Sequence, residues 1–384
     1  MKNVLILNYE YPPLGGGAGV CTQEQALGLA SVGYNITVVT AYYEGTLAEE
    51  KLDNLEVIRL KSKRQHKYKS SVSEMLSWML CARKFLAVYC RSHHFDICLS
   101  HFTFPGGYVA RYIKKKFSIP YVVISHGHDI PWFFPRQMFF YHLLLYVFIR
   151  RILIAARAVV VLNEDLKKKA TSLLPETDKG KAVVIVNGCK TKYFSPAEGK
   201  DYTLMRILFA GRLVKQKDPM TFLKAIKILK DRGVKYQVEV IGNGRLLYKM
   251  KRYTEKYHLA ENVIYRGWVS RDEMPVTYRS AHVFVQTSLA EAMSVAALEA
   301  LSAGVYLFST ETGTARQMII RDVNGVLIPK KNPLALADAI QTYYQTKFTL
   351  GYRVPDNILK EFCHRNDWAN IIDNYHKLLS EITK

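Results

Sequence analysis

Short apolar runs alternate with helix-length amphipathic segments along the first half of the chain. The runs are continuously apolar, which is typical of strands buried on both faces of a parallel sheet. Helical periodicity fills the gaps, as in Val20–Val32, Ser73–Tyr89 and Tyr108–Lys116. The predicted strands are Val4–Leu7, Ile36–Thr40, Leu55–Leu60, Ile97–Ser100, Tyr121–Ser125, Val159–Leu162 and Val183–Val186. This alternation predicts a doubly wound α/β sheet.

The pattern breaks at a polar segment, Ser195–Lys200, and then begins again. The second series of predicted strands is Ile207–Ala210, Gln237–Ile241, Val263–Tyr265, Val283–Gln286, Val305–Ser309 and Val326–Ile328. We therefore predict an α/β protein with two Rossmann-like, doubly wound parallel-sheet domains, residues 1–197 and 198–360, facing a cleft. Such sheets bind ligands beyond the carboxyl ends of their strands. Residues 361–384 contain a last helix that we expect to pack back on the N-terminal domain.

Composition narrows the partners of these domains. The chain has 384 residues and a formal net charge of +21, which predicts an anionic partner: a phosphorylated ligand, an acidic membrane surface or nucleic acid. The six cysteines show no paired spacing, so we expect reduced thiols and a cytoplasmic location. The most apolar stretch, Met138–Ile149, is shorter than the roughly 20 residues that cross a bilayer.

A glycine-rich loop follows the first predicted strand. Gly15, Gly16 and Gly17 lie where the strand turns into a helix, and glycines there let backbone amides approach an anion. A tight structural turn explains them equally well. The loop has neither the G-x-G-x-x-G spacing nor the lysine of a P-loop, so it indicates neither a dinucleotide site nor an ATP site.

A histidine motif, His126-Gly-His-Asp129, follows the predicted strand that ends at Ser125. Its place at a strand's carboxyl end, with a glycine that permits close approach, favours a ligand contact, while a purely structural histidine remains the alternative. His93, His94, Cys98 and His101 fall on a strand pattern and favour no metal site. The chain contains no D-x-D sequence to hold a metal-bound diphosphate.

Two cations follow the strand that opens the second domain. Arg212 and Lys217 lie five residues apart on a loop that leads into a helix. A guanidinium, an ammonium and a helix N-terminus together make a suitable clamp for a diphosphate. A solvated basic loop is the alternative.

A pair of glutamates, Glu291 and Glu299, follows the predicted strand Val283–Gln286, and Ser294 between them is a predicted helix N-cap. Eight helical residues rise about 12 Å. Glycosidase carboxylates lie about 5–9.5 Å apart, so the spacing disfavours a hydrolase. It suits two contacts at opposite ends of a sugar diphosphate, the sugar at Glu291 and the ribose diol at Glu299. An exposed helix glutamate is the alternative for Glu299.

Taken in order, these motifs resemble the retaining glycosyltransferases of the "group 1" family, glycosyltransferase family 4, which has two Rossmann-like domains. The resemblance extends along nearly the whole chain, and its most specific element is the pair Glu291 and Glu299. The other residues that carry it are Pro12, Pro13, Gly15, Gly16, His126, Gly127, Asn187, Gly188, Phe194, Pro196, Gly211, Arg212, Lys217, Gly242, Gly244, Arg266, Gly267, Trp268, Ala300, Gly304, Asn324 and Gly325.

The resemblance implies roles for these residues. Arg212 and Lys217 would hold the donor diphosphate and neutralise the leaving group, Glu299 would bind the ribose, and Glu291 the transferred sugar. His126 would lie near the reaction centre. Residues that would contact the donor through loop and helix backbone are Gly15, Gly16, Gly17, Gly242, Met293, Ser294 and Val295.

The same resemblance implies a hexosyltransferase of polysaccharide biosynthesis that uses a UDP- or GDP-sugar and needs no metal or other cofactor. The expected acceptor is a glycan or a lipid-linked cell-envelope precursor. Retention in this family is usually assigned to same-face attack without an enzymatic nucleophile. Three departures put the sugar and the base in doubt: Ala292-Met293-Ser294 replaces the usual Gly-Phe-Gly, and Lys190 and Gln317 stand at usually acidic positions.

Basic clusters in the N-terminal domain suggest a membrane contact. Lys61–Lys69 precedes the amphipathic segment Ser73–Tyr89, which contains Trp78, and Lys114–Lys116 and Arg150–Arg151 add charge. We expect this patch to dock at the inner face of the cytoplasmic membrane, on anionic lipid. A solvated basic face is the alternative.

Other functions remain open. A glycosyltransferase with a soluble acceptor and a sugar-nucleotide epimerase share the expected fold. A nucleic-acid-binding protein would use the positive charge, but the charge is spread over both domains and no stacking platform or binding motif accompanies it, so no nucleic-acid partner is expected.

Overall fold

The computed structural model describes residues 1–67 and 70–383, with the backbone alone for residues 135–138. The chain divides into two compact units. Unit 1 comprises Met1–Asn187 and Trp368–Lys384, and unit 2 comprises Gly188–Asp367. The sequence placed the corresponding boundaries at 197/198 and 360/361.

Unit 1 is built on one sheet. Its strands are β1 (Asn3–Leu7), β2 (Asn35–Ala41), β3 (Glu49–Leu52), β4 (Leu55–Leu60), β5 (Ile97–His101), β6 (Tyr121–Ile124), β7 (Ala158–Val161) and β8 (Ala182–Val184). The described strands run in the order β3-β4-β2-β1-β5-β6-β7-β8. All pair in parallel except β3, which is antiparallel to β4. The sequence missed β3 because this exposed edge strand reads Glu-Glu-Lys-Leu and has no apolar face.

The helices of unit 1 are α1 (Gly17–Ser31), α2 (Val72–Tyr89), α3 (Gly107–Phe117), α4 (Pro135–Ala155), α5 (Glu164–Thr171) and, from the end of the chain, α13 (Trp368–Ile382). α1 connects β1 to β2, whereas α2, α3 and α4 lead to strands in the opposite direction along the sheet. Because such crossovers are right-handed, α1 lies on one face and α2–α4 on the other. α13 packs on α1 so closely that a Cβ at Gly28 would lie 2.4 Å from Ile372 Cγ1.

Unit 2 has a second sheet. Its strands are β9 (Met205–Ala210), β10 (Tyr236–Ile241), β11 (Val263–Gly267), β12 (Val283–Gln286), β13 (Tyr306–Thr310) and β14 (Gly325–Ile328). They run in the order β11-β10-β9-β12-β13-β14, with every described pairing parallel. The order reverses at β9, between β10 and β12, which is where doubly wound sheets bind their ligands.

The helices of unit 2 are α6 (Pro219–Asp231), α7 (Leu247–Lys256), α8 (Met274–Ser280), α9 (Val295–Ser302), α10 (Ala315–Met318), α11 (Pro333–Thr346) and α12 (Asp356–Asn366). The core lies where helices cover the sheet, and Phe209, Phe222 and Phe308 in it are at most 2% exposed. The two doubly wound sheets confirm the predicted fold class. Continuous apolar strands made this prediction reliable, because each must be covered on both faces.

Candidate active site

The carboxyl edge of the unit 1 sheet carries the glycine loop. Gly15 has φ +89°, and a Cβ there would lie 2.6 Å from Glu10 Oε2, so the backbone itself requires glycine at this position. Gly16 is the N-cap residue of α1 and Gly17 its first residue; both are exposed, and the first turn holds no acidic side chain. The positive end of α1 is therefore open to an anion.

His126 lies at the same edge, just beyond β6, and a buried hydrogen-bond network ties it to α1. His126 Nε2 lies 3.0 Å from His101 Nδ1, and His101 Nε2 lies 2.9 Å from Gln25 Oε1 on α1. With the Gln25 oxygen as acceptor, the proton of His101 sits on Nε2, so His101 Nδ1 accepts a hydrogen bond from His126 Nε2–H. The network thus selects the tautomer of His126.

Burial holds both imidazoles neutral. It lowers the pKa of His126 to about 4, with Asp129 opposing the shift and His128 adding to it. Burial, assisted by His126, also lowers the pKa of His101 well below its usual value. At neutral pH His126 is therefore a neutral hydrogen-bonding group rather than a cation.

Asp129 fixes the backbone of the histidine loop. Its Oδ1 accepts hydrogen bonds from Ser125 Oγ (2.8 Å), from His126 N (3.1 Å) and from Gly127 N (3.2 Å). Its Oδ2 accepts from Thr103 N (2.7 Å) and Thr103 Oγ1 (2.9 Å), in the segment after β5. Asp129 is buried, so its carboxylate stabilises the histidine loop through hydrogen bonds within the protein. These hydrogen bonds also join the ends of β5 and β6.

In unit 2 the structure brings two predicted site residues into contact. Lys217 Nζ and Glu291 Oε1 lie 2.6 Å apart, with both side chains mostly buried. Lys217 belongs to the turn after β9, and Glu291 to the loop after β12, the neighbouring strand. A cation and a carboxylate therefore stand side by side at the carboxyl edge.

Hydrogen bonds between the two loops hold this pair in place. Gln216 Nε2 donates to Ala290 O (2.8 Å), and Leu289 N donates to Gln216 O (2.7 Å). Thr287 Oγ1 lies 3.0 Å from Lys217 O and 2.8 Å from Asp218 O. Because these hydrogen bonds lie beside the ion pair, Lys217 is already held in position before a ligand binds.

Arg212 and Gly242 lie at the same edge. The Arg212 side chain is exposed and makes no ion pair with a described residue, so its guanidinium can turn toward a ligand. Gly242, after β10, has φ +122°, and a Cβ there would lie 2.0 Å from Gly211 O. The β9 and β10 loops can pack this tightly only because Gly242 has no side chain.

Ser294 is the N-cap of α9, as predicted, and its Oγ accepts a hydrogen bond from Ala297 N at 3.3 Å. The helix begins only at Val295, and Glu291 lies in the preceding loop. The assumption of eight helical residues from Glu291 to Glu299, on which the 12 Å rise was based, is therefore wrong. The backbone of Met293, Ser294 and Val295 forms the start of the helix, where its positive end faces the carboxyl edge.

Glu299 is half-buried within α9. Burial raises the pKa of this carboxyl group to about 7, against the opposing effects of the Arg271 guanidinium and the Tyr278 hydroxyl. Cys189 is also close enough for Glu299 to raise the pKa of its thiol, after the larger effect of burial. Glu299 is therefore poised between its neutral and ionised forms near neutral pH.

Several residues around these sites escaped the sequence analysis. The sequence around His101 raises only the question of a metal site, whereas in the structure His101 contacts His126. The others are Gln25, Thr103, Arg271 and Tyr278, none of which belongs to a motif with a recognisable spacing. The described residues contain no cluster of three or more side chains suited to a metal ion.

Comparison with known proteins identifies the family. A model described as Glycosyltransferase Family 4 matches residues 15–193, and a model described as Glycosyl transferases group 1 matches residues 190–350. Together they cover residues 15–350, from the glycine loop to the segment just after α11. The chain belongs to the group 1 glycosyltransferases. It is an enzyme, and the resemblance found in its sequence motifs is confirmed.

Individual relatives of this glycosyltransferase are distant. An uncharacterized glycosyltransferase of Methanocaldococcus jannaschii is 24% identical along 99% of each chain. The UDP-Gal:alpha-D-GlcNAc-diphosphoundecaprenol alpha-1,3-galactosyltransferase of Escherichia coli is 30% identical over 185 residues, 45% of this chain and 47% of that one.

Solved structures share the fold at low sequence identity. Sucrose-phosphate synthase from Thermosynechococcus elongatus superposes with a TM-score of 0.85 at 16% identity, over 100% of this chain and 99% of that one. Anabaena HepE, solved in complex with UDP and glucose, superposes with a TM-score of 0.77 at 15% identity, over 99% and 100%. At these identities the likeness establishes the two-domain architecture alone.

Proposed function

We propose that this glycosyltransferase moves a hexosyl or N-acetylhexosaminyl group from a UDP- or GDP-sugar to an acceptor hydroxyl, with retention and without a metal ion. The observation that carries the proposal is the contact between Lys217 and Glu291 beside the start of α9. A nucleotide sugar offers a negative diphosphate next to a neutral sugar. An adjoining cation and carboxylate match these two parts in charge and hydrogen bonding.

The diphosphate becomes the leaving group, and its negative charge grows as the glycosidic bond breaks. Lys217, Arg212 and the backbone N–H groups that open α9 would stabilise this charge in the role that metal ions fill elsewhere. Lys217 is already held by its loop, whereas the exposed Arg212 would turn onto the phosphate when the donor binds. Preorganised charge of this kind lowers the barrier because little reorganisation is needed during the reaction.

The carboxylates would contact the two ends of the donor. Glu291, restrained by Lys217, would accept hydrogen bonds from hydroxyls of the transferred sugar, a role that suits a paired carboxylate better than nucleophilic attack. Glu299 would accept hydrogen bonds from the ribose diol in its ionised form. Its raised pKa means that donor binding near neutral pH would be accompanied by loss of a proton.

His126 would act as a neutral group beside the sugar. Its fixed tautomer presents Nδ1 as an acceptor, because Nε2–H donates a hydrogen bond to His101. Such a group can orient a hydroxyl near the reaction centre without adding positive charge beside an oxocarbenium-like sugar. The Gly15–Gly17 loop would approach the diphosphate or the acceptor through its backbone.

For the acceptor we propose a lipid-linked or cell-envelope glycan precursor. The Escherichia coli relative whose name includes a diphosphoundecaprenol acceptor supports this choice. A glycosyltransferase with a soluble acceptor, or a sugar-nucleotide epimerase, would use the same donor site. Epimerisation or hydrolysis of the donor without any acceptor would favour the epimerase over either transferase.

A panel of UDP-, GDP- and ADP-sugars tests the donor by calorimetry and thermal shift, each sugar being measured with and without a chelator. We expect one base to give saturable binding, which Arg212→Ala and Glu299→Ala each weaken at least about tenfold. Arg321→Ala is the matched control, since Arg321 is an exposed arginine elsewhere in unit 2. Unchanged binding in both site variants, or binding that chelator abolishes, would refute the proposed site.

A further inference from the structure

Helix α4 exposes a row of large apolar side chains. They recur in adjacent pairs spaced four residues apart, which places them on one side of the helix, opposite the fully buried His142 and Ile149. Each is between 48% and 77% exposed: Phe139, Phe140, Leu143, Leu144, Val147 and Phe148. Single exposed apolar residues are ordinary, but a continuous row marks an interaction surface.

Two neighbouring helices extend this surface. α2 packs on α3, and α3 on α4, all on the same face of the unit 1 sheet. α2 adds a second apolar row, Val72, Leu76 and Leu80, again four residues apart and exposed. We call the outward side of these three helices the α2–α4 face.

The charge of the α2–α4 face is one-sided. Its three helices contain a single carboxylate, Glu74, which is buried and closes the capping box of α2 by accepting from Ser71 N at 2.6 Å. Against it the three helix sequences hold nine cations: Arg83, Lys84, Arg111, Lys114, Lys115, Lys116, Arg136, Arg150 and Arg151. Arg83 Cζ lies 4.9 Å from the centre of the Tyr112 ring, and this cation–π contact joins α2 to α3.

The combination of exposed apolar side chains and positive charge indicates which partner this face binds. A second copy of the chain would bring the exposed cations of this face, Arg83, Lys84, Lys115, Lys116, Arg150 and Arg151, against themselves. Like charges oppose such an interface. A bilayer with anionic headgroups offers both an apolar interior for the α4 row and negative charge for the cations. No helix in the described part of the chain is both long and apolar enough to cross a bilayer, so the contact we consider is interfacial.

We propose that the α2–α4 face docks on an anionic lipid bilayer, with α4 lying along the interface and the α3 lysines on the headgroups. The surface differs from the patch expected from sequence. Trp78 and Met79 of α2 are buried in unit 1 and cannot insert. Most of the apolar contact therefore comes from α4, with Val72, Leu76 and Leu80 of α2 beside it. Of the basic segment Lys61–Lys69, Tyr68 and Lys69 lie outside the described residues.

Cosedimentation with vesicles of phosphatidylcholine alone, or mixed with phosphatidylglycerol, tests this face. We expect binding to the anionic vesicles that weakens as salt is raised. The double variant Phe140→Gln/Leu144→Gln should reduce affinity at least about tenfold at any salt. Lys115→Glu/Lys116→Glu should reduce the affinity for anionic vesicles by roughly fivefold or more per cation at low salt. At high salt the same variant should lose little affinity, because salt screens the charges.

Matched controls come from exposed residues of unit 2. Val276→Gln/Leu334→Gln removes two apolar side chains that are 64% and 52% exposed, and Lys251→Glu/Lys256→Glu reverses two exposed cations. Both should bind as the wild type does. Equal losses in the controls, no binding to anionic vesicles, or sedimentation velocity showing that α4 variants dissociate a dimer would each overturn the proposal.

A second measurement does not depend on loss of binding. In a Phe140→Trp variant, vesicles of brominated lipid should quench additional fluorescence relative to the wild type, and absence of extra quenching would contradict insertion of α4. The docking inference rests on the proposed function in one respect: the proposed lipid-linked acceptor is the reason that a membrane contact would be useful to the enzyme. The vesicle assays contain neither donor nor acceptor, so negative results alongside active sugar transfer would overturn the docking face alone.

Discussion

The two sheet edges that carry the candidate site residues are built from different chemistry. In unit 1 the polar groups at the edge are tied into a hydrogen-bond network of their own. His126 Nε2–H donates a hydrogen bond to His101, and Asp129 accepts hydrogen bonds from the histidine loop with Oδ1 and from Thr103 with Oδ2. In unit 2 the edge carries charge that is available to a ligand: the exposed Arg212 and the Lys217–Glu291 pair.

The difference shows what each edge is suited to do. A charged edge stabilises the phosphate charge that develops in glycosyl transfer, so substitutions there should affect the rate more than folding. A hydrogen-bonded edge holds a neutral imidazole and a glycine turn in one geometry, so substitutions there should affect folding as well. Four experiments address this contrast, from the largest expected effect to the smallest.

Replacing the buried cation of unit 2 should have the largest effect. Lys217→Ala removes the ammonium that would face the diphosphate, and we expect kcat to fall by about 10²- to 10³-fold, the usual result of removing one preorganised charge or donor. Lys215→Ala is the control, because Lys215 is exposed in the same turn. Steady-state kinetics showing equal losses for both variants would contradict a charged edge that acts specifically through Lys217.

In unit 1 the strongest effect should be on stability. Asp129→Asn places an amide among five donors, at least one of which then loses its acceptor, and we expect the free energy of unfolding to fall by about 3 kcal/mol. Urea denaturation measures it. Asp201→Asn offers a control, since the exposed Asp201 accepts from Thr203 N and Oγ1 without being buried. If Asp129→Asn were as stable as that control, the network would not be what holds the histidine loop.

The two edges should also respond to pH in opposite directions. Glu299 has a folded-state pKa of about 7 against an ordinary 4.5, so its contribution to stability is present at low pH and is lost as pH rises from 4.5 to 7. His126 has a folded-state pKa of about 4 against 6.5, so its contribution is present above 6.5 and is lost as pH falls toward 4.

Because Glu299 and His126 are partly exposed, solvent reduces the contribution of each to the unfolding free energy. We expect each contribution to be about 1–2 kcal/mol. The measurement is the difference in unfolding free energy between wild type and Glu299→Gln, and between wild type and His126→Asn, at several pH values. The two differences should change with opposite signs. Parallel changes would show that the edges do not differ in the way that their burial and partners indicate.

The smallest effect on stability should come from the glycine loop. A Cβ at Gly16 meets no atom within 4 Å, so Gly16→Ala should change the unfolding free energy by less than about 0.5 kcal/mol. Gly15→Ala, at φ +89° and beside Glu10, should destabilise unit 1 clearly more. If the loop approaches donor or acceptor through its backbone, Gly16→Ala will still lower transfer, and unchanged kinetics would make the loop a structural turn.

Much of the fold was predictable because it depends on local periodicity. Every predicted strand exists, with ends displaced by one or two residues, and Ser294 caps its helix as predicted. β3 was missed because a polar edge strand carries no periodic signal. The assumption that helix continues back to Glu291 was wrong, since Ala292 and Met293 suit a helix by composition but precede the cap that starts it.

The candidate site was predictable only as separate motifs. The sequence identified His126, Arg212, Lys217, Glu291 and Glu299 as residues that follow strands or open helices. It could not show that His101 fixes the tautomer of His126, or that Arg271 and Tyr278 lie near Glu299. These neighbours come from other elements, and no spacing along the chain relates them.

The sequence by itself determined the two doubly wound sheets and the family, because apolar strands and strand-end motifs are properties of short segments. Only the tertiary structure decided which side chains meet. Strand order placed Lys217 against Glu291 and His101 against His126, and the packing of α2, α3 and α4 decided that Trp78 is buried while Phe140 is exposed. Contacts of this kind depend on how distant segments are stacked, and burial then sets the charge state of the groups they enclose.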